Sequence, residues 1–306
     1  MSKKMITVCG LNPAWQKTLH FEHFIPETVN RAKRVMEMPS GKGINVVRAI
    51  RTWGAADGRV FQFAGGGNGE KLLAGLDAEG IPHRSIRIAG STRCCNTVLC
   101  HATHGMTELI EPSAKVTDQE LLAMFDAILE SLETADALAL CGTYPPGVPE
   151  TFYAELTAEA RKRNVFVFMD AFMGIASTLD LGVDLLKINL DELYALSGEN
   201  TPEKAFDVCF RKYKIKAIAV TDGKNPAFLS QGETPIRIPV PVVAAPVNPI
   251  GSGDTCSGVM LSEILNGTEL QDAFRCGLAA ASANCLTDRP AVFDRASAEQ
   301  FLVKGE

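Results

Sequence analysis

Three short stretches carry residues that could do chemistry together. Asn248-Pro249-Ile250-Gly251-Ser252-Gly253-Asp254 precedes an apolar run whose inward positions are Val259, Met260, Ile264 and Leu265, with Gly267 as a stop, so it reads as a loop turning into a helix. Two glycines allow the backbone N–H groups of Gly251, Ser252 and Gly253 to converge on one point, where the helix dipole adds partial positive charge. That is a site for an anion or a developing oxyanion. Asp254 places a carboxylate beside it. A carboxylate in a first helical turn can be a cap as well as a base, and the glycines favour the base, because phosphoryl transfer to a hydroxyl needs an anion hole next to a proton acceptor. The second stretch, Ser40-Gly41-Lys42-Gly43-Ile44-Asn45, is also glycine-rich and also leads into a helix, with Val46, Val47, Ile50 and Trp53 inward and Gly54 at its end. The third is Asn189-Leu190-Asp191-Glu192, whose spacing puts Asn189 and Glu192 on the same side of a helix start, as a capping pair would be.

These residues need elements to hold them. Residues 4 to 10 read as a first buried strand, 11 to 21 as a more exposed one after the Asn12-Pro13 bend, and 33 to 38 as another. Strand 60–64 runs into Gly65-Gly66-Gly67-Asn68-Gly69 and a helix from Glu70 to Glu79. That run matches a dinucleotide fingerprint only loosely, since Glu70 stands where the third glycine belongs, and no Walker A spacing is present. Residues 85–89, 95–103 and 106–111, with His104-Gly105 between the last two, give strands without helices, which predicts a small sheet standing off the main body. From Val116 onward the pattern alternates regularly: helix 117–132, strand 137–141, helix 149–163, strand 165–169, helix 173–180, strand 184–188, helices 191–197 and 202–213, strand 216–221. Such alternation predicts an α/β fold, a parallel sheet covered by helices on both faces. Ligands of such sheets sit beyond the carboxyl ends of the strands, so Cys141-Gly142-Thr143, Asp170, Lys187-Ile188-Asn189 and Thr221-Asp222-Gly223 should line one crevice with the two glycine-rich helix starts. Helix 269–286 and a tail helix near 296–302 complete the reading.

With 306 residues and 46% hydrophobic content the chain can bury a full core. Lys and Arg number 30 against 36 Asp and Glu, and no basic block occurs, which gives no support to nucleic-acid or anionic-membrane binding. The nine cysteines show no C-x-x-C pair or zinc spacing and read as reduced thiols of a cytoplasmic protein. The basic start Met1-Ser2-Lys3-Lys4 leads into an apolar run too short for a signal peptide, and no run reaches the roughly 20 apolar residues of a membrane span. His20, His23, His83, His101 and His104 are scattered and read as structural.

Occurring together and in this order, Ile250 to Asp254, Ser40 to Asn45 and Asn189 to Glu192 resemble the ribokinase-like (PfkB) family of carbohydrate kinases, from Met5 to about Pro290. The resemblance implies one ribokinase-like kinase domain over residues 1–306, with a Rossmann-like α/β body and a small β-sheet lid from about 12–22, 31–39 and 86–111. It implies ATP as co-substrate, Mg²⁺, Asp254 as the base that deprotonates the accepting hydroxyl, and the Gly251-Ser252-Gly253 backbone as the anion hole. Lys187, Asn189, Thr221, Gly223, Gly251 and Gly253 match ATP-site positions, with Ile188 replacing a usual Pro and an unusual acid at Asp222. Asn189 and Glu192 match the residues that act on the metal, through water. Gly41, Lys42 and Asn45 match sugar contacts, although Ser40 replaces the first glycine. Asn12 and Gln16 lie in the family's Asn-Pro-Ala-x-Asp, where Gln16 replaces the carboxylate, and Glu111-Pro112-Ser113 replaces Glu-x-Gly-Pro. Thr143 keeps the hydroxyl of a Gly-Ser-Leu-Pro turn.

Arg31 and Arg93 resemble the basic residues with which the phosphosugar branch, including 1-phosphofructokinase and tagatose-6-phosphate kinase, holds a phosphate already on the substrate; either could instead be a surface ion-pair residue. The implied activity is ATP-dependent phosphorylation of a ketohexose phosphate. The alternatives are a kinase for an unphosphorylated sugar or nucleoside, or a non-catalytic sugar-phosphate sensor. Exposed lid edges suggest a homodimer through the lid.

Overall fold

The computed structural model describes residues 3–103 and 105–304; His104, read above as structural, lies outside them, as does the Met1-Ser2 start. Strands β1 (Lys4–Cys9), β2 (Ala14–Phe21) and β3 (Arg34–Ser40) lead to helix α1 (Lys42–Trp53), then β4 (Ala56–Ala64), α2 (Gly66–Glu79), β5 (His83–Arg87), β6 (Cys94–Cys100) and β7 (Gly105–Ile110). The alternating part follows as α3 (Asp118–Leu132), β8 (Ala137–Cys141), α4 (Phe152–Lys162), β9 (Phe166–Asp170), α5 (Ala176–Leu181), β10 (Leu185–Asn189), α6 (Leu190–Ser197), α7 (Pro202–Lys212) and β11 (Ile218–Asp222). The chain closes with β12 (Asn225–Ser230), β13 (Ile236–Ile238), α8 (Ser252–Leu265), α9 (Leu270–Asn284) and α10 (Arg295–Lys304).

A nine-stranded sheet has the order β13-β12-β11-β10-β9-β8-β1-β4-β5. Every pairing from β5 to β11 is parallel, as the alternation predicts. The edge is different: β12 and β13 run antiparallel, so the sheet is mixed. Pro226 hides this hairpin in the sequence, yet it sits at the start of β12, before pairing with β13 begins at Ala227 and beside the register shift between Val220 and Asp222, where the ladder can spare its N–H. Along β8 the pleat sends Leu138 and Leu140 to one apolar layer, with α3, α4 and α7, and Ala137 and Ala139 to the other, with α1, α8 and α9.

A separate four-stranded sheet has the order β3-β2-β6-β7. It is the small sheet expected from the helix-free stretches, with one boundary moved: Ile86 and Arg87, placed in it by the reading, pair with Phe63 and Ala64 in the large sheet. A second shift concerns α2, which starts at Gly66 rather than Glu70. Thr92 draws its start back along the chain, its Oγ1 accepting from the Gly65 N–H (3.1 Å) and its carbonyl from Asn68 Nδ2 (3.1 Å). No helix among the described residues is long and apolar enough to cross a membrane.

Candidate active site

The strand order reverses at β1: the chain leaves it toward β4 and β5 on one side and toward β8 and its successors on the other. Helices α1 and α8 pack over this switch point. They approach so closely that a Cβ on Gly258 would lie 2.6 Å from the Val46 carbonyl oxygen. This closeness lets Asn45, in the first turn of α1, reach Asp254 in the first turn of α8, donating from Nδ2 to Oδ2 at 2.8 Å. The turn before α8 has Gly251 at φ 75°, a left-handed conformation that favours glycine, and any Cβ there would meet the Ala291 nitrogen at 2.7 Å.

Beside Asp254 lies a charge cluster in which Asp170 and Lys187 are buried and Lys42 is half-buried. Asp170, at the end of β9 and 1% exposed, accepts from Lys42 Nζ at 2.6 Å and from Ser257 Oγ at 2.6 Å, with Lys187 Nζ 3.7 Å away. Lys187 also donates to the Gly253 carbonyl at 3.2 Å, tying β10 to the turn. Burial by itself would raise the Asp170 carboxyl, but the two ammonium groups prevail and hold it below the usual carboxylate range. Burial would likewise lower the Lys42 ammonium, and Asp170 and Asp254 hold it well above its ordinary value. Asp254 goes the other way. Desolvation raises it and the Asp170 charge adds to that, against the opposing pull of Lys42, the Asn45 amide and Lys187. A carboxylate whose anion is disfavoured is a better proton acceptor.

The remaining candidates fall into groups. Thr221, Gly223, Ser252 and Gly253 line a cavity of about 510 Å³, together with apolar side chains such as Val240 and Leu278. This size and lining suit a nucleotide. Asn189 and Glu192 form a reciprocal capping box, Glu192 N–H donating to Asn189 Oδ1 (2.8 Å) and Asn189 N–H to Glu192 Oε2 (2.9 Å). Glu192 Oε1 has no hydrogen-bond partner among the described residues, and the charge of Glu192 contributes to holding Lys42 protonated. Asp222 accepts from Asn225 at 3.1 Å, across the turn into β12. On the other side, Asn12 donates to Thr143 Oγ1 at 3.1 Å and accepts from Ser113 Oγ at 2.8 Å, and Arg93 Nη2 donates to the Asn12 carbonyl at 3.0 Å. Gln16 is buried in the small sheet, where it donates to Thr97 Oγ1 at 2.7 Å. Arg31 is exposed and has no hydrogen bond or ion pair among the described residues. Gly41, at φ 121°, precedes α1.

The sequence places Asp170 on the crevice without a role and Ser113 only as a departure from the family pattern, and it does not single out Ser257 or Arg48. A signal existed for the first, a lone acid closing the apolar strand Phe166 to Met169. Ser257 and Arg48 each stand three residues after a named residue, on the same helical face.

A family model, pfkB family carbohydrate kinase, matches residues 6–291. The chain belongs to the pfkB family of carbohydrate kinases. It is an ATP-dependent sugar kinase. Its fold is that of phosphofructokinase-2 from Escherichia coli, solved with potassium, at 25% identity over 99% of each chain and a TM-score of 0.87. A Thermotoga maritima protein described as a possible 1-phosphofructokinase shares 22% identity over 98% of this chain and 97% of that one, with a TM-score of 0.88. Arabidopsis thaliana ribokinase with ribose and ATP shares 21% over 99% of each chain, with a TM-score of 0.76.

Proposed function

We propose that this sugar kinase phosphorylates a hydroxyl of a ketohexose phosphate, as a 1-phosphofructokinase or tagatose-6-phosphate kinase does, with Asp254 as general base and the Gly251–Gly253 turn as anion hole. The observation that carries the reading is the placement of Asp254: its Oδ2 is held by Asn45, its anion is disfavoured by desolvation, and it directly follows a left-handed glycine turn at a helix start. ATP would occupy the cavity along Thr221, Gly223 and Ser252, its phosphates directed to the N–H groups of the turn and to Lys187. Asn12, Gln16, Gly41, Lys42, Asn45 and Thr143 would meet the sugar, and Arg31 and Arg93 its phosphate.

The donor set at the start of α6 suits Mg²⁺, which binds few protein carboxylates and keeps most of its waters. Glu192, with one carboxylate oxygen outside the capping box, and Asn189 would hold the ion through water. Such an ion neutralises charge on the nucleotide phosphates.

The small sheet is read as a lid and as the contact between two copies. Its edge strand β7 is exposed at every residue, with Leu109 54% and Ile110 59% exposed, an apolar edge of the kind proteins usually cover. Nine unpaired thiols suit a reducing, cytoplasmic compartment.

Replacement Asp254→Asn tests the mechanism: turnover should fall by at least about 10²-fold with ATP affinity retained, and a near-native rate would overturn it. Comparing fructose 1-phosphate, tagatose 6-phosphate, fructose and adenosine as acceptors tests the substrate class. The highest kcat/KM on a phosphorylated ketohexose supports the reading, and preference for fructose or adenosine refutes it.

A further inference from the structure

Arg48 is 6% exposed, lies one turn after Asn45 on α1, and belongs to no group named above. Its guanidinium is nearly saturated. Nε donates to Glu79 Oε2 at 2.7 Å, Nη2 to the Pro39 carbonyl at 2.8 Å, and Nη1 to Asn45 Oδ1 at 2.9 Å and the Pro290 carbonyl at 3.3 Å. These partners come from the end of α2, from β3 of the small sheet, from α1 and from the loop that backs Gly251. A buried guanidinium held by one carboxylate and fixed carbonyls has a single orientation.

That orientation decides a question the Asn45 amide cannot decide alone. An amide has an acceptor end and a donor end, and rotation exchanges them. Arg48 can only donate. The atom facing it must therefore be Oδ1, which leaves Nδ2 facing Asp254, at 2.8 Å from Oδ2. Ser40 Oγ, 3.5 Å from the same Oδ1, can donate to it, but a hydroxyl also accepts, so Arg48 alone sets the orientation. Reversed, the amide would set a carbonyl oxygen against a carboxylate, which is repulsive. With Oδ2 engaged, Oδ1 of Asp254 has no side-chain partner among the described residues and is the oxygen available to a substrate hydroxyl.

We infer that Arg48 is a positioning residue for phosphoryl transfer, which fixes the Asn45 amide with its NH₂ toward Asp254 and so aims the free carboxylate oxygen at the acceptor. Glu79 keeps the buried cation paired, and Arg289, 3.3 Å from the other Glu79 oxygen, supports it from the surface. The inference rests on Asp254 being the base.

A double-mutant cycle on turnover tests it, with ATP and whichever of fructose 1-phosphate or tagatose 6-phosphate the enzyme accepts. Arg48→Met should lower kcat by about 10- to 100-fold, since loss of aim at a reacting group costs that much, with the ATP KM within about 3-fold of native. In the Asn45→Ala background the same substitution should change kcat by less than about 3-fold, because the amide it acts through is gone. Equal losses in both backgrounds overturn the inference. Should Arg48→Met fail to fold, Arg48→Lys serves in the same cycle: its ammonium can stay paired with Glu79 but lacks the planar fork that reaches Glu79, Pro39 and Oδ1 of Asn45 in one fixed orientation. It should fold and still lose about 10-fold in kcat; full activity in Arg48→Lys also overturns the inference. Failure of the base itself is read separately, as unimpaired turnover in Asp254→Asn.

Discussion

The two sides of the crevice that we propose for the nucleotide and for the sugar are built by different means. On the nucleotide side the polar contacts are made largely by backbone at element ends: the turn at Gly251 to Gly253, the Gly253 carbonyl on Lys187, the capping box of α6, and an apolar cavity of about 510 Å³. On the sugar side, side chains from the small sheet and loops do the work: Gln16 with Thr97, Asn12 with Thr143 and Ser113, and the exposed Arg31. Backbone geometry at a helix start changes little with side-chain substitution, whereas a side-chain constellation can be remade one residue at a time. One side can therefore stay constant in chemistry while the other changes its substrate.

The largest expected effect lies in the backbone half. Gly251→Ala forces a left-handed conformation on a Cβ that meets the Ala291 nitrogen, and kcat should fall by about 10²-fold as the anion hole distorts, while sugar KM changes little. Steady-state kinetics with both substrates varied checks this, and an equal rise in sugar KM would blur the two halves. Acidity should act next. As the proposed base Asp254 would work ionised, and desolvation raises its pKa, so kcat should be low in acid and climb with pH through a value above the ordinary Asp range. The groups facing it are Lys42 and Asn45 from α1, Asp170 from β9 and Lys187 from β10. Lys42→Met removes the positive charge that most opposes the rise, which should move the acid limb of the pH–rate profile to higher pH; a shift to lower pH would contradict the assignment.

On the side-chain half, Gln16→Asp should change kcat/KM for the sugar by about 10-fold and leave the ATP KM unaltered, because a carboxylate accepts but cannot donate to Thr97 as the amide does. The smallest effect is expected at Arg31, where Arg31→Ala should raise the KM of a phosphorylated acceptor about 5-fold, leave that of an unphosphorylated one unchanged, and not move the melting temperature. An unchanged KM for both acceptors would leave Arg93 as the sole basic candidate for the substrate phosphate.

The elements that hold the site were mostly legible in advance. Strand β8 was read at its observed bounds, and α1 with its Gly54 stop emerged from period and punctuation, because both are encoded locally. Where the reading slipped, a distant segment was the reason. Thr92 extends α2 backward over the glycine run, and β4 captures Ile86 and Arg87 for the large sheet. The antiparallel hairpin β12–β13 was hidden by Pro226, whose missing N–H falls where neither β11 nor β13 pairs with it.

The sequence by itself determined the chemistry on offer: a carboxylate behind a glycine turn, a second glycine-rich helix start with Lys42 and Asn45, and the alternation that makes an α/β sheet. These are properties of residue type and spacing. Only the tertiary structure decided which way the Asn45 amide points, that Asp170 sits between Lys42 and Lys187, and that Gln16 is tied to Thr97. Those facts depend on contacts between residues up to more than a hundred positions apart, and no local pattern encodes a hydrogen bond whose two ends meet only when the chain has folded.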